Sequence, residues 1–192
     1  IIITINQLPD VSAGNDFAVC VSDNSVVLSG SPSGGNWTSN NGGVIGVNVF
    51  DASASGVGIF SFTYSYTDNN GCLNSDDLLV TVNDLPELTT NDTSYCNTSG
   101  LTSLPYSTPV GGSWSGPGVS NNQFDPDVAG GVGAYIVTYS YIDANGCENN
   151  IDANVIVIEP DAVSAGEDDI VCVDALPFDL DGLASPAGGT WD

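Results

Sequence analysis

Apolar and polar residues alternate with a period of two over the longest patterned stretches of the chain. Phe60, Phe62, Tyr64 and Tyr66 fall on one face, with Ser61, Thr63, Ser65 and Thr67 on the other. Tyr135, Val137, Tyr139 and Tyr141 repeat the pattern. A period of two places alternate side chains on opposite faces of a sheet, so both stretches predict half-buried strands. Asp68-Asn69-Asn70-Gly71 and Asp143-Ala144-Asn145-Gly146 follow, and Asn-Gly accepts the positive φ of a tight hairpin. The runs that end at Val82 and Ile158 then predict closing strands. Upstream, Asp16–Cys20, Ser25–Ser29 and the segment at Trp37 predict shorter strands, and no segment has a helical period.

The strands belong to a repeat. Gly34-Gly35-Asn36-Trp37 returns as Gly111-Gly112-Ser113-Trp114 and as Gly188-Gly189-Thr190-Trp191, spaced by 77 residues each time. Cys20, Cys96 and Cys172 are spaced by 76, and Cys72 and Cys147 by 75. Phe50-Asp51 recurs as Phe124-Asp125. Ile1–Pro9 matches Leu78–Pro86, so residues 1–8 are read as the last strand of a preceding repeat. Residues 9–85 and 86–159 are two whole repeats, and 160–192 is the first part of another. The intact protein is therefore expected to extend at both ends. About seven short strands in ~75 residues predict an all-β fold of tandem immunoglobulin-like β-sandwich repeats in an extended array.

Trp37, Trp114 and Trp191, with Tyr64 and Tyr139, are expected to be core residues. A sugar-stacking platform is the functional alternative for the tryptophans, but their recurrence at a strand start favours packing.

Composition narrows the function. The 192 residues hold 24 acids and no Lys, Arg or His. A chain of this length ordinarily carries roughly twenty basic residues. Their absence removes the groups that neutralise nucleic-acid phosphates or an anionic membrane. Without His there is no Ser-His-Asp or Cys-His catalysis and no imidazole ligand for zinc. Carboxylate-pair hydrolysis needs a cleft that a packed sandwich does not offer, so no enzyme activity is expected. Trypsin-like proteases have no cleavage site in the chain, which suits an exposed fibre.

The acids themselves predict a solvated, self-repelling surface. The sharper reading is calcium, which takes carboxylate and carbonyl oxygens. Its candidate ligands gather where repeats meet: Asp84, Glu87, Glu159 and Asp161, with Asp143 and Asp68 at nearby hairpins. Asp125 and Asp127 form another pair, but Asp51 is followed by Ala52 and Ser53, so that motif is not repeated intact. Asn36, Asn91 and Asn97 fit the N-glycosylation pattern at a frequency close to background.

Regular cysteines in a small β repeat predict disulfides and an oxidising, extracellular compartment. Two connectivities are open for Cys20, Cys72, Cys96, Cys147 and Cys172. In an immunoglobulin-like strand order, Cys20 and Cys72 lie at opposite ends of a closing strand of about ten residues, ~33 Å long. A disulfide needs Cα atoms within about 7 Å. That favours Cys20–Cys147 between repeats. Cys20–Cys72 and Cys96–Cys147 within repeats hold if the strand order differs. Cys172 is expected to find its homologous partner beyond Asp192.

Ala-Gly-x-Asp…Val-Cys (13–20 and 165–172), Gly-Gly-x-Trp, Phe-Asp-Pro (124–126) and Thr-Tyr-x-Tyr…Asp-x-Asn-Gly-Cys together resemble a known group. They are similar to the PKD-like and immunoglobulin-like repeats of giant Bacteroidota surface proteins, including flavobacterial gliding-motility adhesins. The first repeat departs from the pattern at Asp51-Ala52, and the second at Thr90-Asn91. The resemblance implies type IX secretion, display on the outer cell surface, and a stalk or filament for adhesion or gliding. Neighbouring repeats would be the main partners. A ligand- or glycan-binding adhesin module, and an accessory module of a secreted enzyme, are the alternatives.

Overall fold

The structure is a computed structural model that describes residues 1, 3–166, 170, 172, 185 and 186. Trp191, expected in a core, lies outside the described residues. Among the described residues the chain is all-β apart from two helical turns. In order, the N-terminal elements are β1 (Phe17–Cys20), β2 (Val26–Val27), β3 (Asn36–Ser39), β4 (Val44–Ile45), β5 (Val49–Asp51), α1 (Ala52–Ser55), β6 (Gly58–Thr67) and β7 (Leu73–Asn83). The same succession follows as β8 (Thr93–Cys96), β9 (Thr102–Ser103), β10 (Ser113–Ser115), β11 (Val119–Ser120), β12 (Gln123–Phe124), α2 (Pro126–Ala129), β13 (Gly133–Ile142) and β14 (Glu148–Ile158).

Each set makes two sheets. The first has a four-stranded sheet in the order β1-β7-β6-β3 and a three-stranded sheet in the order β2-β5-β4. The second has β10-β13-β14-β8 and β11-β12-β9. In both, the long hairpin is antiparallel and the first strand runs parallel to the last, Cys20 opposite Asn83 and Cys96 opposite Ile158. By compactness, Ser107–Ser113 and Tyr139–Ile151 fall in one unit with Ile1–Thr90.

The cores follow from the alternation. Phe60, Phe62 and Tyr64 of β6 and Leu78, Val80 and Val82 of β7 point inward and are buried with Leu28, Trp37 and Phe50. Phe50 meets Phe62 edge-on at 4.9 Å between ring centroids, which ties the two sheets together. In the second set Phe124, Val137, Ala153, Val155 and Val157 are buried, and Phe124 stacks on Tyr95 at 5.7 Å. Trp37 is 7% exposed and tilts against Tyr64 at 4.9 Å. Trp114 is half-buried against the second core, a lesser burial than its position in the repeat suggests. Three more residues separate Trp37 from Phe50 than Trp114 from Phe124, although each connection carries a two-residue strand, β4 or β11.

The helical turns depart from the strand-only expectation. Asp51 and Asp125 are their N-caps: the Asp51 carboxylate accepts from the Ala54 N–H at 2.9 Å, and Asp125 from the Asp127 N–H at 3.0 Å. A Phe-Asp pair at a strand end thus buries the ring and turns the chain with the carboxylate. Four residues are too few to show a helical period.

A tyrosine hydroxyl holds each tryptophan hairpin. Tyr64 Oη donates to the Pro32 carbonyl at 2.5 Å and accepts from the Gly35 N–H at 2.8 Å. Tyr139 does the same with Pro109 at 2.6 Å and Gly112 at 2.7 Å. A Cβ on Gly35 or Gly112 would overlap the tyrosine ring and the backbone behind it, so this position needs glycine. A two-residue bridge also recurs three times, Ser12 with Ser31, Thr89 with Thr108 and Ser164 with Ser185. Replacing Tyr64 by Phe should cost about 1–3 kcal/mol of unfolding free energy in urea, since the Pro32 carbonyl and Gly35 N–H both lose their partner. A change within a few tenths of a kcal/mol would remove this hydroxyl from the account.

Candidate functional site: the cysteine turns and acidic hairpins

Two local structures, each present twice, place the cysteines. The first is the turn that ends the opening strand. Cys20 closes β1, the Val21 N–H donates to the Asn83 carbonyl at 2.8 Å, and the Asp23 N–H returns to the Cys20 carbonyl at 2.9 Å. Asp23 Oδ2 accepts from the Cys20 N–H at 2.9 Å. Cys96 closes β8 alike: the Asn97 N–H donates to Ile158 at 2.8 Å and the Ser99 N–H to Cys96 at 3.0 Å.

The second is the hairpin before the closing strand. Asp68 Oδ1 accepts from the N–H groups of Asn70 at 2.9 Å and Cys72 at 2.8 Å, and Oδ2 from the Asn70 amide at 3.2 Å. Asp143 repeats this with Asn145 at 2.9 Å, Cys147 at 2.8 Å and the Asn145 amide at 3.2 Å. Gly71 and Gly146 take φ of 82° and 85°, the left-handed conformation that completes the turn. The Cys72 N–H holds the Asp68 carboxyl below its ordinary range, and the Cys147 N–H does the same for Asp143.

The structure joins Cys20 to Cys147, with S–S 2.01 Å and Cα atoms 5.6 Å apart, across a sequence separation of 127 residues. Cys147 is fully buried and Cys20 half-buried. Within the first set, Cys20 lies opposite Asn83, at the far end of the eleven-residue β7 from Cys72. That strand spans roughly 35 Å, so Cys20 and Cys72 cannot meet. Cys72, Cys96 and Cys172 are free thiols here.

The calcium ligands expected at Asp84, Glu87, Asp143, Glu159 and Asp161 are not brought together. Among the described residues, no group of three or more Cys, Asp and Glu side chains is close enough to hold a metal ion. Asp143 is engaged by its own hairpin, and Asp84 accepts from the adjacent Leu85 N–H at 2.9 Å. Glu87, Glu159 and Asp161 are exposed. Asp68, Asp51 and Asp125 are held as turn and helix caps. Asn36 and Asn91 are exposed and Asn97 is half-buried. The sequence reading missed Tyr64 and Tyr139 as hydroxyl bridges. The signal for them was the constant Gly-Gly-x-Trp and Thr-Tyr pairing in both repeats.

No family model and no curated protein matches the chain. Solved structures do. Human protocadherin-24 EC1-2 is 13% identical with a TM-score of 0.32, covering 81% of this chain and 100% of that one. Drosophila N-cadherin EC1-4 is 12% identical with a TM-score of 0.28, covering 76% of this chain, which spans 47% of that structure. Sidekick-1 immunoglobulin domains 1–4 are 14% identical with a TM-score of 0.26, covering 83% and 53%. These likenesses are distant, and the fold assignment stands on the strand orders and cores described above.

Because Asp143 titrates below the ordinary carboxylate range when folded, its stabilising effect is complete above about pH 4 and fades as pH falls through the lowered value. Asp143→Ala should therefore lower the urea midpoint at pH 7, and by progressively less from pH 4 to pH 2. A deficit that stays constant with pH would assign the effect to something other than the charged cap.

Proposed function

We propose that the chain is a structural spacer in a secreted or cell-surface filament, with no catalytic role of its own. The observation that carries this reading is the bond from Cys20, in residues 9–85, to Cys147, in residues 86–159. A disulfide that ties one repeat to the next resists separation of the repeats under load. A binding module gains little from such a bond. It also calls for an oxidising compartment, which supports an extracellular location.

Three further features agree with a spacer. The recurring residues are occupied in packing and capping: Trp37, Tyr64 and Tyr139 within sandwiches, Asp68 and Asp143 within hairpins. The net charge of −24 repels a collapsed arrangement and keeps an exposed fibre soluble. The absence of Lys, Arg and His removes trypsin sites and most catalytic machinery. The finer reading is a Bacteroidota adhesin exported by the type IX system and used in gliding or attachment. It rests on the motif resemblance alone, with residues 9–85 and 86–159 as whole repeats, 1–8 as the last strand of a preceding one and 160–192 as the first part of a further one.

A second reading has one observation in its favour. An open cleft of ≈440 Å³ in the first sandwich is lined by Leu28, Gly34, Trp37, Val47, Asn48 and Tyr64 among others. A glycan could enter it, although Trp37 lies beneath and offers little face for stacking. Binding of the chain to a glycan array, lost in Val47→Asp, would favour this adhesin-module role.

For the spacer, solution scattering on chains of increasing repeat number should give a thin rod that lengthens by roughly 35–45 Å per repeat, following strand length. A maximum dimension that grows as for a compact globule would reject it.

A further inference from the structure

We propose that Cys72 and Cys96 are the two open ends of a disulfide ladder. In it, each strand-ending cysteine bonds the hairpin cysteine of the next repeat, so every repeat is covalently tied to both neighbours. The inference rests on the repeat reading above and adds the chemistry of the partner on each side.

The argument is positional equivalence to a bond already made. Cys96 occupies the place of Cys20: both end the opening strand, both lie opposite the end of the closing strand, and both open a turn closed by a backbone N–H at 2.9 or 3.0 Å. Cys72 occupies the place of Cys147: both follow an Asp-x-Asn-Gly hairpin, with matching distances of 2.9, 3.2 and 2.8 Å to the capping carboxylate. The backbone that presents the bonded sulfurs is thus already in place around the free ones. Burial distinguishes only the hairpin pair, bonded Cys147 being fully buried and Cys72 half-buried, whereas bonded Cys20 and free Cys96 are half-buried alike. Pairing Cys72 with Cys20 is excluded by the length of β7, and Cys147 is taken.

The partners follow. Cys72 should receive a cysteine of the Cys20 type, at the end of an opening strand. Cys96 should receive one of the Cys147 type, behind an Asn-Gly hairpin. Each bond forms by exchange: one thiolate attacks the disulfide of a thiol–disulfide oxidoreductase, and the second thiolate displaces that enzyme's sulfur. Two protein thiols lose their protons and two electrons, and the oxidant leaves as a dithiol.

The test is cysteine mapping of the protein isolated from its source at its natural length. It is alkylated with iodoacetamide before denaturation, then cut with chymotrypsin and Asp-N without reduction. We expect almost no alkyl label on Cys72 or Cys96. Cys72 should be recovered joined to a strand-end cysteine, and Cys96 to an Asn-Gly-Cys peptide. A partner peptide of different sequence identifies a neighbouring repeat of the same chain. A Cys72–Cys96 peptide identifies a second copy joined head to tail. Alkylated Cys72 and Cys96, like-with-like pairs, or Cys20–Cys72 and Cys96–Cys147 peptides would each overturn the ladder. Alkylated Cys72 and Cys96, or like-with-like pairs, leave the Cys20–Cys147 bond and the scattering test of the spacer standing, so the ladder can fail alone. Cys20–Cys72 and Cys96–Cys147 peptides would also remove the bond that carries the spacer reading.

Discussion

The length of one strand governs the molecule. β7 runs for eleven residues and closes its sheet with β6 on one side and the parallel β1 on the other. Its inward residues Leu78, Val80 and Val82 are buried to within 2% exposure and anchor the core. Its outward residues are free to be polar or exposed. Because β1 pairs with the end of β7 and the hairpin precedes its start, each repeat carries one cysteine at either end. The sandwich therefore keeps its two cysteines apart, and Cys20 bonds Cys147 of the second set instead of Cys72. The strand length thereby rules out a Cys20–Cys72 bond.

Much of this is legible in the sequence because a sheet writes itself with a period of two. The long hairpins and the turn glycines show in the residues, and so does the geometric case against Cys20–Cys72. Other features leave weaker traces. A helical turn of four residues has no period, and its signal is the Phe-Asp step at which the carboxylate caps the turn. The short strands β2, β4 and β9 are two residues each and are defined by their sheet partners more than by their own pattern. The hydroxyl bridges of Tyr64 and Tyr139 depend on long-range closure, with partners 29 to 32 residues away for Tyr64. The acids at the repeat boundaries read equally as calcium ligands or as caps, since both uses need carboxylates near turns. Only the hydrogen bonds of Asp68 and Asp143 tell which use those two residues serve.

The charge balance fits the same logic. A chain with no positive side chain has no ion pairs to lose, so its cohesion comes from burial, backbone pairing and the disulfide. Carboxylates are tolerated where backbone N–H groups meet them, as at Asp51, Asp68, Asp92 and Asp143, all of which titrate below the ordinary range. Others sit in water, where repulsion at 0.15 M salt reaches about 8 Å. Acidity is therefore compatible with small sandwiches and opposes their collapse onto one another.

Single-molecule pulling on the whole chain, held at its ends, tests the spacer account most directly. The Cys20–Cys147 bond shields 127 residues from extension. At 3.3–3.6 Å per extended residue, reduction should lengthen the fully unfolded contour by about 420–460 Å. A contour that is the same before and after reduction would contradict the account.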